Sequence, residues 1–317
     1  MTGSACLWLF CTLLAVFIAP NHLTAFGLWR AYVLEPILFA LLAISTIKSK
    51  DDRETMIHAF GISTILVVTY SAIQFLTNQI HAPWNTASWL TRRATGPYPF
   101  PNAIALYVTP IAALFSARWI ESRKKFDGTI VIIGLLGIIL AKSVGGFLGL
   151  LGTTIFFTWQ RPPARKLLLA IATFALLAIV IVTPLRSKVI STLSFNEWSG
   201  KVRLITWRES LTMLKDHPIF GAGFGGYKEA MIPYHHATAI EIFQYPHNIF
   251  LNLWTETGLL GLLAFFWLLI AAIKQRSSIF FAPLLAIMIH GLVDVPYFKN
   301  DLAFAFLLFI VLLKSDT

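Results

Sequence analysis

Uncharged apolar runs of 14 to 20 residues recur from Ala5 to Leu313, and roughly 20 apolar residues span the hydrocarbon core of a bilayer. With no water there to satisfy N–H and C=O groups, such runs must close their hydrogen bonds within each segment as helices. A soluble globule is excluded: 57% of the 317 residues are apolar and 13% are charged, against about 25% charged in an ordinary soluble domain. Disorder, collagen, coiled coils and disulfide mini-proteins are excluded with it. Cys6 and Cys11, the only cysteines, are five apart on one apolar run, too far along a helix to bridge and too few to hold a metal.

Charged, Pro-rich and Gly-rich breaks divide the chain into runs near 5–19, 31–47, 57–76, 102–118, 129–142, 144–158, 167–184, 247–273, 279–293 and 301–313. This predicts an all-α integral membrane protein, one polytopic domain over 1–317 with about ten transmembrane helices. Residues 129–158 suit either two short helices or one helix plus a re-entrant turn at Gly145-Gly146. The first run lacks a basic leader and a small-residue cleavage site, so it is expected to be a retained helix.

The net charge of +10 would suggest a nucleic-acid partner in a soluble domain. Here the basic residues fall in short loops, where they set orientation. One alternating set of loops carries 13 Lys and Arg, including Lys48, Lys50, Arg118, Arg123, Lys124, Arg161, Lys274 and Arg276. The opposite short loops carry 5, namely Arg30, Arg92, Arg93, Lys142 and Lys299, and 7 more lie in one loop too long for the rule to count. The first set is therefore expected to be cytoplasmic, with both termini inside and the long loops, about 77–101 and 185–246, outside.

Helix connections need little sequence, so two long external loops rich in Trp, Tyr, Pro, Gly, Arg and His call for a reason. Arg92 and Arg93 precede a Pro-rich entry into the next helix. Lipid head groups or helix carbonyls could occupy such arginines, and so could a phosphate gripped by the guanidinium fork. Farther on, Leu204, Trp207, Leu211 and Leu214 recur at helical steps and predict an amphipathic helix. Arg203 and Arg208 lie about 140° apart on it, so at most one need face a shared site. Gly221-Ala222-Gly223-Phe224-Gly225-Gly226 matches the dinucleotide fingerprint literally, but it follows Pro218 without a strand pattern and reads better as a tight turn passing close to its neighbours.

Pro246 suits a helix start, which sets His247 at the outer mouth of a span, where its imidazole can meet water. Leu251, Trp254 and Gly258 share its face. Glu256, nine residues on, lies more than about 10 Å deeper and half a turn away, so it is no direct partner of His247 and reads as a structural or relay residue. His290 and Asp294, one turn apart, can pair as an ion-pair anchor.

Together these pieces, Arg93-x-x-Gly96 with Pro101-Asn102, Arg203-x-x-x-Trp207 followed by Pro218-Ile219-Phe220-Gly221-x-Gly223, and His247-Asn248-x-x-Leu251 with Glu256-x-Gly258-x-x-Gly261, resemble the O-antigen ligase and polymerase superfamily. The resemblance implies a GT-C-like helical membrane glycosyltransferase of the bacterial inner (cytoplasmic) membrane. It implies a glycan moved from an undecaprenyl-diphosphate carrier to a lipid, glycan or protein acceptor on the outer face. Onto matching positions it puts diphosphate binding at Arg93 and Arg203 and the essential histidine at His247. Arg92, Arg208, Asn248 and Glu256 are then supporting residues, with no cofactor, metal or nucleic acid involved. Members usually have about twelve spans; the shortage here lies before Arg93, so either the start is truncated or the chain is a trimmed variant. A transporter or flippase of lipid-linked sugars or other anions is the alternative, although transporters bind near the midplane, often between related halves, whereas here polar residues cluster at one face.

Overall fold

A computed structural model describes residues 2–80, 82–162, 165–166, 169–170, 173, 181, 183–274 and 278–315. The expected span at 167–184 lies largely outside the described residues, as does Arg276. All regular structure among the described residues is helical: α1 (Thr2–Ile18), α2 (His22–Trp29) running through a π-helical turn (Arg30–Leu34) into α3 (Glu35–Thr46), α4 (Lys50–Thr77), α5 (Pro101–Ser122), α6 (Lys125–Ala141), α7 (Val144–Trp159), α8 (Thr183–Leu193), α9 (Trp198–Asp216), the single turn α10 (Tyr227–Ala230), α11 (Ile249–Ile273), α12 (Ala282–Gly291) and α13 (Asn300–Ser315).

Among the described residues, four helices are long and apolar enough to cross a membrane, His22–Thr46, Lys50–Thr77, Pro101–Ser122 and Ile249–Ala271, while shorter apolar helices include Gly3–Ile18, Val144–Trp159, Ile279–Gly291 and Asp301–Leu313. The structure thus supports a helical membrane protein, without establishing the full count of ten. The segment 129–158 is two helices joined at Lys142-Ser143, with Gly145 and Gly146 inside α7. The second span begins at His22 rather than near 31, because Asn21 caps it, its side chain accepting from the Thr24 amide at 3.0 Å. Arg30 therefore lies within a continuous helical stretch, paired with Glu35 at 3.1 Å, rather than in a loop.

The bundle is built around α5, in which every residue from Val108 to Arg118 is buried. A helix apolar on all sides must be enclosed by others, and α4, α6, α7 and α12 enclose it. Small residues bring the backbones together: a Cβ at Gly134 of α6 would lie 2.6 Å from Cβ of Ala112. At the far end of α5, Arg118 donates to both carboxylate oxygens of Glu54 at 2.9 and 2.8 Å and to Asp127 at 3.4 Å, tying α4, α5 and α6 together. Its other end, at Pro101, opens onto the loop carrying Arg93.

Helix α11 is broken at Gly258, whose φ of 71 and ψ of 179 are not helical. The break frees backbone groups, and residues 218–226 take them up. Ala222 N–H donates to the Thr255 carbonyl at 2.6 Å and Leu259 N–H to that of Ile219 at 2.9 Å. Trp254 Nε1 adds a bond to the Pro218 carbonyl at 2.7 Å. The glycine-rich stretch is the expected tight turn: a Cβ at Gly221, where φ is +65, would meet the Thr255 carbonyl oxygen at 2.3 Å.

Candidate active site

At the Pro101 end of α5, four chain segments converge on one carboxylate. Asp294 lies between α12 and α13 and is 2% exposed. Its Oδ1 accepts from the Val295 amide at 2.9 Å and faces His247 Nδ1 at 3.4 Å. Its Oδ2 accepts from Asn102 Nδ2 at 3.0 Å. Asn102 in turn accepts through Oδ1 from Arg93 Nη2 at 2.6 Å, so Arg93, Asn102, Asp294 and His247 form one continuous polar network. Burial alone would raise the Asp294 carboxyl, but the hydrogen bond and charge of His247, with His290 and the Val295 amide, hold it well below the usual carboxylate range.

Each arginine is aimed by backbone. Arg93 Nε donates to the Ala141 carbonyl at the end of α6 at 2.9 Å, and its guanidinium lies 5.2 Å from the Trp84 ring centre. Arg203 donates through Nε to the Val293 carbonyl at 2.8 Å and through Nη1 to Ser199 at 3.3 Å. Among the described residues, Nη1 of Arg93 and Nη2 of Arg203 carry no hydrogen bond. Burial lowers the Arg93 guanidinium to about 10, the charge of Arg203 adding to the effect and that of Asp294 opposing it. Burial lowers Arg203 as well, again against Asp294. Both guanidinium groups stay charged, and two half-buried cations against one carboxylate leave a local excess of positive charge suited to an anion.

His247 adopts φ 51, in the left-handed region, immediately before α11. Asn248 makes that turn possible: its Oδ1 accepts from the amides of Phe250 at 3.0 Å and Leu251 at 3.1 Å, capping the helix, while its Nδ2 donates to the Leu292 carbonyl at 3.0 Å. This joins the start of α11 to the end of α12 and brings His247 beside Asp294. Phe243 and Tyr245 stand edge-on to the imidazole at 5.1 and 5.0 Å. With Nδ1 turned to Asp294 and the side chain 18% exposed, Nε2 is the nitrogen left for a ligand.

Three expected supporting residues lie elsewhere. Arg92 points back into its own loop and onto the end of α4, donating to the carbonyls of Thr86, Phe75 and Ala87 at 2.9, 2.8 and 3.1 Å; it shapes the loop that presents Arg93, and no described bond joins it to the network. Arg208 is exposed on α9, as the 140° separation from Arg203 requires. Glu256 is buried and accepts from the Gly225 amide, so it anchors the 218–226 turn against α11, a structural role. The expected His290–Asp294 ion pair is absent among the described residues: Asp294 turns to His247 and Asn102, and His290 Nδ1 is buried without a partner. Sequence reasoning left out Asn102 and Asp294 as site residues. Asn102 entered only as part of a motif, and Asp294 was assigned to the wrong histidine because spacing along one helix is visible in sequence and a contact across 47 residues is not.

Residues 129–266 match the family model described as O-antigen ligase. The matched segment holds Arg203 and His247; Arg93, Asn102 and Asp294 lie outside it. No curated protein matches the chain.

Proposed function

We propose that this chain, whose residues 129–266 match the O-antigen ligase family model, transfers a glycan from undecaprenyl diphosphate to an acceptor hydroxyl on the outer face of the bacterial inner membrane. The observation that carries this reading is the convergence of Arg93, Arg203 and His247 on Asp294 from separate segments at one end of the bundle.

The acceptor oxygen attacks the anomeric carbon, the bond from that carbon to the diphosphate oxygen breaks, and the acceptor proton passes to Nε2 of His247. A hydroxyl is a weak nucleophile, and a base in hydrogen-bond reach contributes about 10²- to 10⁴-fold. Asp294, on Nδ1, fixes the tautomer that leaves Nε2 free and favours the imidazolium as it forms. Negative charge develops on the departing diphosphate. Arg93 and Arg203, held rigidly by carbonyls and partly dehydrated, meet it without reorganising. The acids of the 185–246 loop, Glu197, Glu209, Asp216, Glu229 and Glu241, are none within five residues of one another, and we assign the neutralising role to the arginines rather than to a divalent cation.

The deciding experiment incubates purified protein with carrier-linked oligosaccharide, alone and with candidate acceptors. A ladder of lengthened glycan identifies a polymerase and a single shifted acceptor band a ligase. Absence of turnover with vectorial movement in vesicles would replace the enzyme by a transporter.

A further inference from the structure

The segment that delivers His247 is tied down at a second point, 12 residues upstream. His235 Nδ1 faces Glu209 Oε2 of α9 at 3.0 Å, and its Nε2 faces the Ile240 carbonyl at 2.7 Å. A carboxylate and a carbonyl only accept, whereas neutral imidazole has a single N–H to give. With one ring proton, one of the two contacts would set a nitrogen lone pair against an oxygen. Both are made together only by the imidazolium. The other Glu209 oxygen accepts from the backbone N–H of His236 at 3.1 Å, so this one carboxylate holds two consecutive residues. Glu209 is the charged side chain acting on His235 among the described residues; the neighbouring Asp216 is engaged by the Tyr234 hydroxyl at 2.7 Å.

From this point the chain runs to His247 with little regular structure. It closes a loop onto the Ile240 carbonyl, packs Ile242 against the cluster of Met213, Leu214, Tyr227 and Met231, and sets Phe243 and Tyr245 against the imidazole of His247. We propose that Glu209 and doubly protonated His235 form a clamp that positions the His247-bearing segment, and that the clamp releases when His235 loses a proton. The two are positioning residues; the consequence for catalysis rests on the glycan-transfer reading above, while the clamp itself does not.

The sign of the pH dependence follows. The hydrogen bond to Glu209 raises the His235 imidazole above its ordinary value, burial working against it and the Ile240 carbonyl, the Glu209 charge and the Ala237 backbone adding to it. A group raised in the folded state contributes fully below its ordinary value, and the contribution is lost as pH climbs through the raised one. The clamp is therefore complete in mildly acidic solution and undone in alkaline solution.

Hydrogen exchange on the full-length protein in detergent or nanodiscs, from about pH 5.5 to about pH 9.5 and corrected for the intrinsic pH dependence of exchange, reads it directly. Amides of 236–249 are expected to lose on the order of tenfold protection across that range while α5 keeps its own. Glu209→Gln and His235→Gln should each hold 236–249 at the weakly protected alkaline level at every pH, with α5 unchanged as the sign that the fold is intact. Wild-type protection that stays flat, or a Glu209→Gln profile like wild type, overturns the clamp. Transfer activity that runs level through the range in which 236–249 loosens overturns the positioning role. Absence of transfer at every pH, with the exchange profile as expected, instead overturns the glycan-transfer reading and leaves the clamp standing.

Discussion

Asp294 satisfies two neighbours at once, and a substitution there acts on both. In Asp294→Asn an amide nitrogen must face either Asn102 Nδ2 or His247 Nδ1, setting donor against donor or freeing the imidazole to take the other tautomer. Transfer should fall by on the order of 10²-fold with membrane insertion intact, and the pH profile should move as well. His247→Ala should abolish transfer; near-normal turnover would end its assignment as base. Arg203→Lys should fail almost as badly as Arg203→Ala. The native fork spends Nε on Val293 and Nη1 on Ser199 and still presents Nη2, whereas one ammonium cannot both hold that carbonyl and grip two phosphate oxygens. Measured rates near wild type for the lysine variant would reduce Arg203 to general electrostatics. At this scale the sequence exposed the residue types well and their partners poorly. Arg93, Arg203 and His247 stood out because each is a polar group set in a motif within or beside a long loop. Adjacent Arg92 looks the same in sequence, and only the carbonyls of Phe75, Thr86 and Ala87 reveal that it is spent on its own loop and the end of α4.

Among the elements, α11 carries an unusual burden, since it must present His247 at its mouth and accept the 218–226 turn at its middle. Gly258 makes this possible. Its φ of +71 is open to glycine, and a Cβ there would fall 2.2 Å from the Ile219 carbonyl oxygen. Gly258→Ala should therefore displace the turn, cost about 1–3 kcal/mol or more and lower the thermal midpoint of the purified protein, as followed by fluorescence-detected size exclusion. Gly261→Ala meets side chains rather than backbone, Thr257 of its own helix at 2.1 Å (Oγ1) and 2.5 Å (Cβ) and Cys11 Cβ of α1 at an ordinary 3.6 Å, and should be milder. An unchanged midpoint for Gly258→Ala would mean that α11 can run straight. The apolar pattern could not disclose this break, because a helix kinked around an inserted loop and a continuous one bury the same residues. What the sequence did convey was the glycine-rich stretch itself and the reason to refuse it a nucleotide.

For the molecule as a whole, the strongest sequence signal was the alternation of apolar runs and basic loops, since partitioning between lipid and water depends on composition before it depends on packing. It anticipated helices at nearly every run and missed boundaries where a cap or a pairing decides, as at Asn21 and Arg30. The proposed orientation has a direct check: single cysteines in a background lacking Cys6 and Cys11, labelled with an impermeant thiol reagent in intact cells. Ser199 and Tyr234 should label and the 118–127 loop should not; the reverse would move the site to the cytoplasm. Transfer should also survive exhaustive EDTA treatment, as arginine neutralisation requires. Loss of activity restored by magnesium or manganese would turn attention to Asp294 as a ligand.

The two arginines grip the carbonyls of Ala141 and Val293, atoms that every residue type supplies. The side chains at 141 and 293 can therefore drift through small apolar residues without disturbing the cations. Their depth cannot. One residue inserted within α6 would turn the Ala141 carbonyl by about 100° and shift it about 1.5 Å along the axis, removing the acceptor from Arg93 with every polar side chain of the site still present. Loops outside the network can lengthen, but the span from Lys125 to Ala141 is held to a fixed number of residues by a contact that leaves no trace in the identity of the residue making it.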